Sequence, residues 1–325
     1  MKIKQKDINP YPNSDSNKRY YTYDYYLRQT FGGKCMKIPL DAGFTCPNID
    51  GKCSVGGCIY CSPRGSGDFA ADAVLPVEEQ FEIVKAQLSS KWKTDKYIPY
   101  FQAHTNTYAP LEVIREKVEA VAGKEGVVGV NIATRADCLE DDVVEYLASL
   151  AERTVLTVEL GLQTVHDSVA FAINRGHTFA DFLEGYAKLR KASDKIQICV
   201  HLIFGLPEEN REMMLESVKE VARLVPDQVK FHLLHVIRGT RLGEIYLEGG
   251  YEPLEMEEYV DIVAEALTLL PPETVVGRLT GDGMQSELLA PDWSRRKKSV
   301  LNDIDTMLVE RDLWQGCALG SEERI

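Results

Sequence analysis

The sequence predicts an α/β fold in which about six βα units form a parallel sheet that closes into a barrel or a partial barrel. From Met36 onward, short apolar runs alternate with amphipathic segments of helical spacing. Strands that alternate with helices in this way build βαβ units. Polar and reactive residues also gather just after the apolar runs, at the strand ends where βα barrels carry their active sites.

The expected elements follow from the apolar runs and the helix-breaking residues. An N-terminal arm, residues 1–35, carries a short tyrosine-rich helix that ends at Gly32-Gly33. Strands are expected at 36–40, 98–102, 129–134, 155–160, 196–203 and 229–235. Helices are expected at 77–92, 111–122, 141–152, 179–191, 211–224 and 256–269. The barrel is therefore assigned to residues 36–270.

The chain changes in character after Pro271-Pro272, and we interpret residues 271–325 as a C-terminal extension that closes one end of the barrel. This extension contains a predicted strand at 275–279 and a glycine-flanked turn at 280–283. A basic run at 295–298 and a helix at 300–311 follow.

Composition limits the class of protein and its partners. The chain has 325 residues, of which 44% are apolar and 27% charged, as in ordinary soluble globular proteins. No apolar run approaches the roughly 20 residues of a membrane span, so we expect a cytoplasmic protein with no membrane partner. The net charge of −13 argues against a broad basic surface, and only the run at 295–298 concentrates positive charge.

Four of the eight cysteines fall within sixteen residues, directly after the first predicted strand. Cys46, Cys58 and Cys61 are spaced C-x11-C-x2-C, and Cys53 is an extra thiol between them. In a cytosolic chain such a group is more often a metal site than a set of disulfides. Thiolates select zinc or iron–sulfur clusters.

Two kinds of metal site remain open from the spacing. A structural zinc ion would use all four thiolates, which would make the chain a zinc-stabilised binding module. A [4Fe–4S] cluster on three cysteines would leave one iron open to a ligand. The single CxxC pair and the position of the loop at the active-site end favour the cluster.

At these cysteines the sequence resembles a known family. The motif CPNIDGKCSVGGCIYC, with the later TNTYAP, ATRADCL, ELGLQT, INRGH, GLP and TGDG, is similar to radical S-adenosylmethionine (SAM) enzymes of the YhcC type. These are relatives of the elongator catalytic subunit and of oxygen-independent coproporphyrinogen dehydrogenase. The resemblance runs from about Tyr20 to Trp314 and implies a partial (β/α)6 radical SAM barrel.

The resemblance also implies the cofactors and their ligands. A 4Fe-4S cluster would be held by Cys46, Cys58 and Cys61, and its open iron would chelate SAM. Cys53 departs from the family pattern, and it could be an accidental thiol, a spare ligand or a redox-sensitive site, of which we favour the first. A flavodoxin- or ferredoxin-type donor would supply electrons under anaerobic conditions.

Further residues are assigned to SAM by resemblance. Tyr60 matches the position whose backbone meets the adenine, Gln163 resembles the residue that reaches the ribose, and Arg175 resembles the arginine that pairs with the methionyl carboxylate. Other expected cofactor contacts near the strand ends are Gln102, Thr105, Arg135 and Glu159. From the residues alone, Gln163 could be a strand-end hydrogen bonder and Arg175 a surface charge.

The candidate substrate-binding residues are His104, Asn106, His232, His235 and Asp282. His104 and Asp282 are also candidate catalytic groups, as is Asp137, although Ala136 replaces the proline that the family has before that aspartate. On one strand His232 and His235 would point to opposite faces, so only one of them is expected to face inward.

Each of these residues also has a structural interpretation. A single histidine is more often a hydrogen-bonded core residue, Asn106 could cap the following helix, and Asp282 could stabilise its own turn.

Two substrate classes follow from the resemblance. One branch modifies the side chain of wobble uridine in tRNA, and another is a queuine lyase that converts free queuine to 7-aminomethyl-7-deazaguanine for queuosine salvage. The scarcity of basic clusters favours the small base over tRNA. The expected partners are therefore a small-molecule substrate, the electron donor and a second copy in a homodimer, with tRNA only under the alternative.

Overall fold

The computed structural model describes residues 9–65, 67, 69–281 and 285–320. Seven strands form a sheet in the order β1-β2-β3-β4-β5-β6-β8. The register between β1 and β2 is parallel, with Met36 opposite Tyr97 and Leu40 opposite Phe101. The seven strands are β1 (Met36–Leu40), β2 (Tyr97–Phe101), β3 (Gly129–Thr134), β4 (Val155–Gln163), β5 (Ile196–Phe204), β6 (Gln228–Leu233) and β8 (Val275–Arg278).

Helices separate the strands along the chain, as the alternating pattern predicts. They are α1 (Tyr23–Phe31), α2 (Val77–Ser89), α3 (Leu111–Ala122), α4 (Asp141–Ala151), α5 (Asp167–Ala172), α6 (Phe179–Ala192), α7 (Arg211–Arg223), α8 (Arg241–Leu247), α9 (Met256–Thr268) and α10 (Lys297–Glu310). The predicted α/β class and parallel sheet are confirmed.

Several element ends differ from the prediction for local reasons. Helix α2 stops at Ser89, whose hydroxyl donates to the Lys85 carbonyl 2.6 Å away, whereas the prediction extended the helix to residue 92. Strand β6 ends at Leu233, so His235 lies beyond it. The expectation that His232 and His235 share one strand is therefore wrong. Two short strands that the sequence did not reveal, β7 (Val236–Ile237) and β9 (Leu288–Ala290), form an antiparallel pair.

The chain divides into two compact units. The first, here called the cysteine-loop unit, comprises Leu27–Leu162 and Asn174–Cys199. The second, here called the terminal unit, comprises Met1–Tyr26, Gln163–Ile173 and Val200–Ile325. The predicted domain boundaries after residues 35 and 270 stay a prediction.

Each unit has its own apolar core. Ile38, Phe101 and Ile132 are fully buried on neighbouring strands of the cysteine-loop unit. In the terminal unit, the rings of Phe204 and Phe231 stack with centroids 5.0 Å apart. Among the described residues, no helix is long and apolar enough to cross a bilayer.

The N-terminal arm and the C-terminal extension are joined within the terminal unit by Gln315. Its side chain accepts a hydrogen bond from the Tyr21 amide at 2.8 Å. It donates to the carbonyls of Pro271 and Thr274 at 2.6 and 2.8 Å. Gln315 is therefore one of the buried contacts between the N-terminal arm and the C-terminal extension.

Candidate functional site

The cysteine loop follows β1 and is closed by two short backbone turns. The Ile49 amide donates to the Cys46 carbonyl at 2.8 Å, and the Cys61 amide donates to the Cys58 carbonyl at 3.0 Å. Cys46, Cys58 and Cys61 are partly buried, whereas Cys53 is exposed. The three predicted ligands thus lie on one short loop at the end of the first strand.

The donor set of the loop fits a four-iron cluster. Cys46, Cys58 and Cys61 are partly buried sulfur ligands on one short loop, and thiolates select iron–sulfur clusters or zinc. Three cysteines can hold three irons and leave the fourth iron open to a ligand.

Cys58 has polar neighbours that act on its thiol. Burial raises the pKa of its thiol, while the positive charge of Arg135 and hydrogen bonds from Tyr60 and Asn48 oppose that rise. Burial beside Cys58 and Cys61 in turn raises the pKa of the Tyr60 phenol. These neighbours stabilise negative charge on Cys58, which is the form that binds metal.

A charged cluster stands beside the cysteine loop at the end of β3. The Arg135 guanidinium, 8% exposed, donates to both carboxylate oxygens of Asp137 at 2.9 and 2.7 Å. Burial alone would raise the pKa of Asp137, but the hydrogen bonds and charge of Arg135 outweigh it and lower that pKa. Burial, with the charges of Arg175 and Arg135, lowers the pKa of His177 to about 3. His177 is therefore neutral at physiological pH.

Arg175 is inside the protein, so the interpretation of this residue as a surface charge is wrong. It is 1% exposed, and its guanidinium donates to the backbone carbonyls of His177, at 3.0 Å, and Leu162. Its own carbonyl accepts a 2.7 Å hydrogen bond from Arg135. Pairing of Arg175 with the SAM carboxylate stays a prediction.

Asn106 ties the end of β2 to the end of β3. Its buried amide nitrogen lies 3.1 Å from the Phe101 carbonyl, 3.0 Å from that of Ala103 and 2.9 Å from that of Ala133. The Thr105 backbone amide donates to the carbonyl oxygen of Thr45 at 3.2 Å, and Thr45 directly precedes Cys46. These contacts position the strand ends.

His104 is held in a strained backbone conformation against Gly65. Its φ is +58°, and its amide donates to the Gly65 carbonyl at 2.9 Å. A Cβ atom at Gly65, whose φ is +50°, would lie 2.3 Å from the His104 Nδ1 atom, so only glycine fits there. Burial lowers the pKa of His104, although the nearby Asp41 carboxylate opposes this shift. The lowered pKa keeps the imidazole neutral.

His104 lines a cavity of about 600 Å³ in the cysteine-loop unit. The polar groups in its lining are two carboxylates, one guanidinium and the imidazole. The lining residues are Asp41, Gly43, Phe44, Pro63, Arg64, Asp72, Ala73 and His104. Phe44 comes two positions before Cys46, and Arg64 comes three after Cys61, so both arms of the cysteine loop border the cavity.

Glu159 belongs to a polar network between strands. The residue is 1% exposed, and its carboxylate accepts hydrogen bonds from the Lys37 amine at 2.8 Å and the Asn131 amide at 2.7 Å. The Lys37 amine also lies 4.2 Å from the centroid of the Tyr100 ring. The sequence did not reveal Lys37 or Asn131, because each stands inside an apolar run with no motif around it.

Gln102 directly follows β2 in the cysteine-loop unit, and its backbone amide donates to the Leu40 carbonyl at 3.1 Å. The other remaining predicted residues lie in the terminal unit or outside the described residues. Gln163 ends β4 with a φ of +65°. The His232 ring lies 5.0 Å from that of His201, and a Cβ at Gly281 would lie 2.7 Å from the His235 ring. Asp282 lies outside the described residues.

A buried carboxyl that the sequence did not single out lies in the same unit. Burial raises the pKa of Glu209 to about 8.

Sequence comparison places the chain among catalogued families and relatives. The Radical SAM superfamily model matches residues 49–221, and the Radical_SAM C-terminal domain model matches residues 226–310. The uncharacterized protein YtqA of Bacillus subtilis is 50% identical over 308 residues, which are 95% of each chain. Protein YhcC of Escherichia coli is 32% identical over 295 residues, which are 90% of this chain and 93% of that protein.

Structure comparison supports the predicted fold. The archaeal Elp3 of Methanocaldococcus infernus, solved without its N-terminus, superposes with a TM-score of 0.63 at 18% identity. The match covers 86% of this chain and 64% of that one. The predicted partial-barrel fold class is confirmed at this level.

Proposed function

This chain belongs to the radical SAM superfamily, and on that premise we propose that it cleaves the carbon–nitrogen bond of queuine to give 7-aminomethyl-7-deazaguanine. It is a radical SAM enzyme that uses SAM and a [4Fe–4S] cluster. When bound, the reduced cluster and SAM supply a 5′-deoxyadenosyl radical, which takes a hydrogen atom from the substrate. The chain's own residues must bind both molecules, orient them and exclude competing hydrogen donors.

Cys46, Cys58 and Cys61 would hold the cluster in this proposal. Their partial burial together on one loop and the positive charge of Arg135 beside Cys58 support that assignment. Arg135 is oriented by two hydrogen bonds to Asp137, which hold its charge beside the site.

The observation that carries the substrate assignment is the cavity bordered by the cysteine loop. The carboxylates of Asp41 and Asp72 can accept hydrogen bonds from the N–H groups of a deazaguanine, and the Arg64 guanidinium can donate to its carbonyl. The neutral imidazole of His104 can donate or accept at the diol. A site that pairs N–H groups in this way rejects analogues that lack them.

The expected reaction begins at the cyclopentenediol of queuine, where a hydrogen atom is removed from the carbon next to the carbon–nitrogen bond. Scission of that bond leaves a radical on the amine nitrogen and a carbonyl on the five-carbon ring. One electron from a flavodoxin- or ferredoxin-type donor and one proton then complete the amine product.

Modification of wobble uridine in tRNA is the alternative suggested by the resemblance to the elongator catalytic subunit. A tRNA enzyme has to neutralise several phosphates. The one concentrated basic run, 295–298, is partly committed to the protein itself. Arg295 pairs with Asp292 at 2.8 Å and donates to the carbonyls of Gln285 and Leu288 at 2.6 and 3.0 Å. This use of Arg295, with the net charge of −13, favours the small base.

Anaerobic turnover with SAM and reductant tests the proposal. We expect free queuine to stimulate formation of 5′-deoxyadenosine at least tenfold and to yield 7-aminomethyl-7-deazaguanine by mass spectrometry. Guanine and tRNA with a modified wobble uridine should leave the background unchanged. Stimulation by the tRNA and none by queuine would establish the alternative.

A pair of glycine variants tests whether the cavity is the substrate site. Gly65→Ala should displace His104 and reduce queuine-dependent turnover, because the new Cβ collides with the imidazole. Gly249→Ala is the matched control, since Gly249 has a φ of +78° and open space around its Cβ position. Equal turnover of the two variants at equal iron content would place the substrate elsewhere.

A further inference from the structure

Two asparagines connect the cysteine loop to residues 174–177, a segment here called the clasp. The Asn174 side chain accepts a hydrogen bond from the Ser54 hydroxyl at 2.6 Å. It also donates to the carbonyls of Val55, at 3.1 Å, and Gly57, at 2.7 Å. Asn174 therefore holds the stretch between Cys53 and Cys58 at three points.

Asn48 makes the return connection from the loop to the clasp. It is 0% exposed, its amide nitrogen lies 3.6 Å from the Cys58 sulfur, and the same nitrogen donates to the Asn174 carbonyl. A primary amide has two N–H hydrogens, so it can serve both acceptors. The Asn174 carbonyl can only accept a hydrogen bond, so the Asn48 side-chain atom next to it must be the amide nitrogen. The same nitrogen therefore faces Cys58.

The clasp backbone is shaped around Asn48. Gly176 has a φ of +78°, and a Cβ atom there would lie 1.9 Å from the side-chain oxygen (Oδ1) of Asn48. Asn174 itself has a φ of +55°, a conformation that asparagine tolerates better than most residues. Both positions let the clasp approach the buried amide closely.

We propose that Asn48 is a positioning residue for the iron–sulfur cluster, which it serves by donating an N–H hydrogen bond to the Cys58 thiolate and thereby raising the cluster's reduction potential. The inference rests on the proposed role of Cys58 as a ligand. Reduction adds negative charge that spreads onto the sulfur ligands, and a fixed N–H dipole stabilises that charge. Asn174 and Gly176 keep the dipole in place.

The test is an anaerobic redox titration of the reconstituted full chain, followed by electron paramagnetic resonance. Asn48→Asp keeps the shape of the side chain but replaces both N–H donors with acceptors. We expect the ratio of reduced to oxidised cluster at the wild-type midpoint to fall at least tenfold, which is 59 mV for a one-electron couple. The matched control is Asn302→Asp, a change at an exposed asparagine of α10, which should keep the wild-type midpoint.

A second variant separates the hydrogen bond from the added charge. Asn48→Ser is uncharged and too short to reach Cys58, so its midpoint should also fall, by less than that of Asn48→Asp. A wild-type midpoint in Asn48→Ser at full iron content overturns the proposal, whether or not Asn48→Asp binds iron.

Iron content distinguishes failure of this proposal from failure of the ligand assignment on which it rests. If Cys58→Ala keeps its iron, then Cys58 is not a ligand and the assignment itself is wrong. If Cys58→Ala loses its iron while both Asn48 variants titrate like wild type, only the role of Asn48 is wrong.

Discussion

Individual cysteines of one loop differ in their surroundings, and this difference predicts which of them hold metal. The Asn48 amide nitrogen lies 3.6 Å from the Cys58 sulfur, whereas Cys53 is exposed, and the Arg135 charge acts on both thiols. The Cys53 sulfur lies 3.9 Å from a carboxylate oxygen of Asp137, a negative neighbour that disfavours a thiolate.

Single alanine replacements test this assignment. Cys46→Ala, Cys58→Ala and Cys61→Ala should each lose the brown chromophore and the bound iron, because the three thiolates are the only protein ligands assigned to the cluster, one to each of three irons. Cys53→Ala is the matched control on the same loop, and it should keep nearly all of its iron. Iron and sulfide analysis after anaerobic reconstitution measures the result, and loss of iron from Cys53→Ala would show a fourth ligand.

Elements were predictable from the sequence where their signal is local. The bounds of β1, β3 and α3 coincide with the prediction, since each is a continuous apolar or amphipathic run between breakers. Helix α5, with six residues, and the two-residue strand β7 are too short to show a period. Strand β7 is defined by its pairing with β9, a partner distant in sequence.

The same limit applies to the candidate site. The cysteine ligands lie within one motif and could be named from their spacing. Asn48 and Asn174 also lie inside quoted motifs, but they are 126 positions apart and only the folded chain brings them together. Lys37 and Glu159, 122 positions apart, meet in the same way. Long-range polar partners leave no periodic signal along the chain.

The ion pair between β1 and β4 should matter for stability. Lys37→Met removes the ammonium and leaves the Glu159 carboxylate, whose side chain is 0% exposed, with Asn131 as the neighbour that still donates to it. Breaking a buried pair from one side costs about 3–5 kcal/mol, and we expect about 2–3 kcal/mol because the lysine side chain is 24% exposed. Urea unfolding followed by fluorescence measures this loss.

Two further variants separate the pair from the loss of a lysine. Lys37→Met combined with Glu159→Gln should recover most of the stability, since no unpaired buried charge remains. Lys195→Met removes an exposed partner of Glu152, whose side chain is 57% exposed, and should cost about 0–1 kcal/mol. An equal loss in Lys37→Met and Lys195→Met would mean that the buried pair contributes nothing specific.

At the scale of the whole molecule, the chain divides into two compact units. The cysteine loop, its clasp and the cavity all belong to the cysteine-loop unit. Both ends of the described chain belong to the terminal unit, where Gln315 joins them. We therefore expect a change at Gln315 to lower the stability of the terminal unit, and a change in the clasp to lower the stability of the cysteine-loop unit.

Gln315→Ala tests this division. The side chain is 1% exposed, and its removal leaves the Tyr21 amide and the Pro271 and Thr274 carbonyls without this partner. An unsatisfied buried polar group costs about 1–3 kcal/mol, so amides of the terminal unit should exchange with deuterium roughly 5- to 150-fold faster. Amides of the cysteine-loop unit should keep their rates, and so should both units in Gln87→Ala, a control at an exposed glutamine of α2. Faster exchange spread evenly over both units would mean that the chain unfolds as one cooperative body and that the division has no energetic meaning.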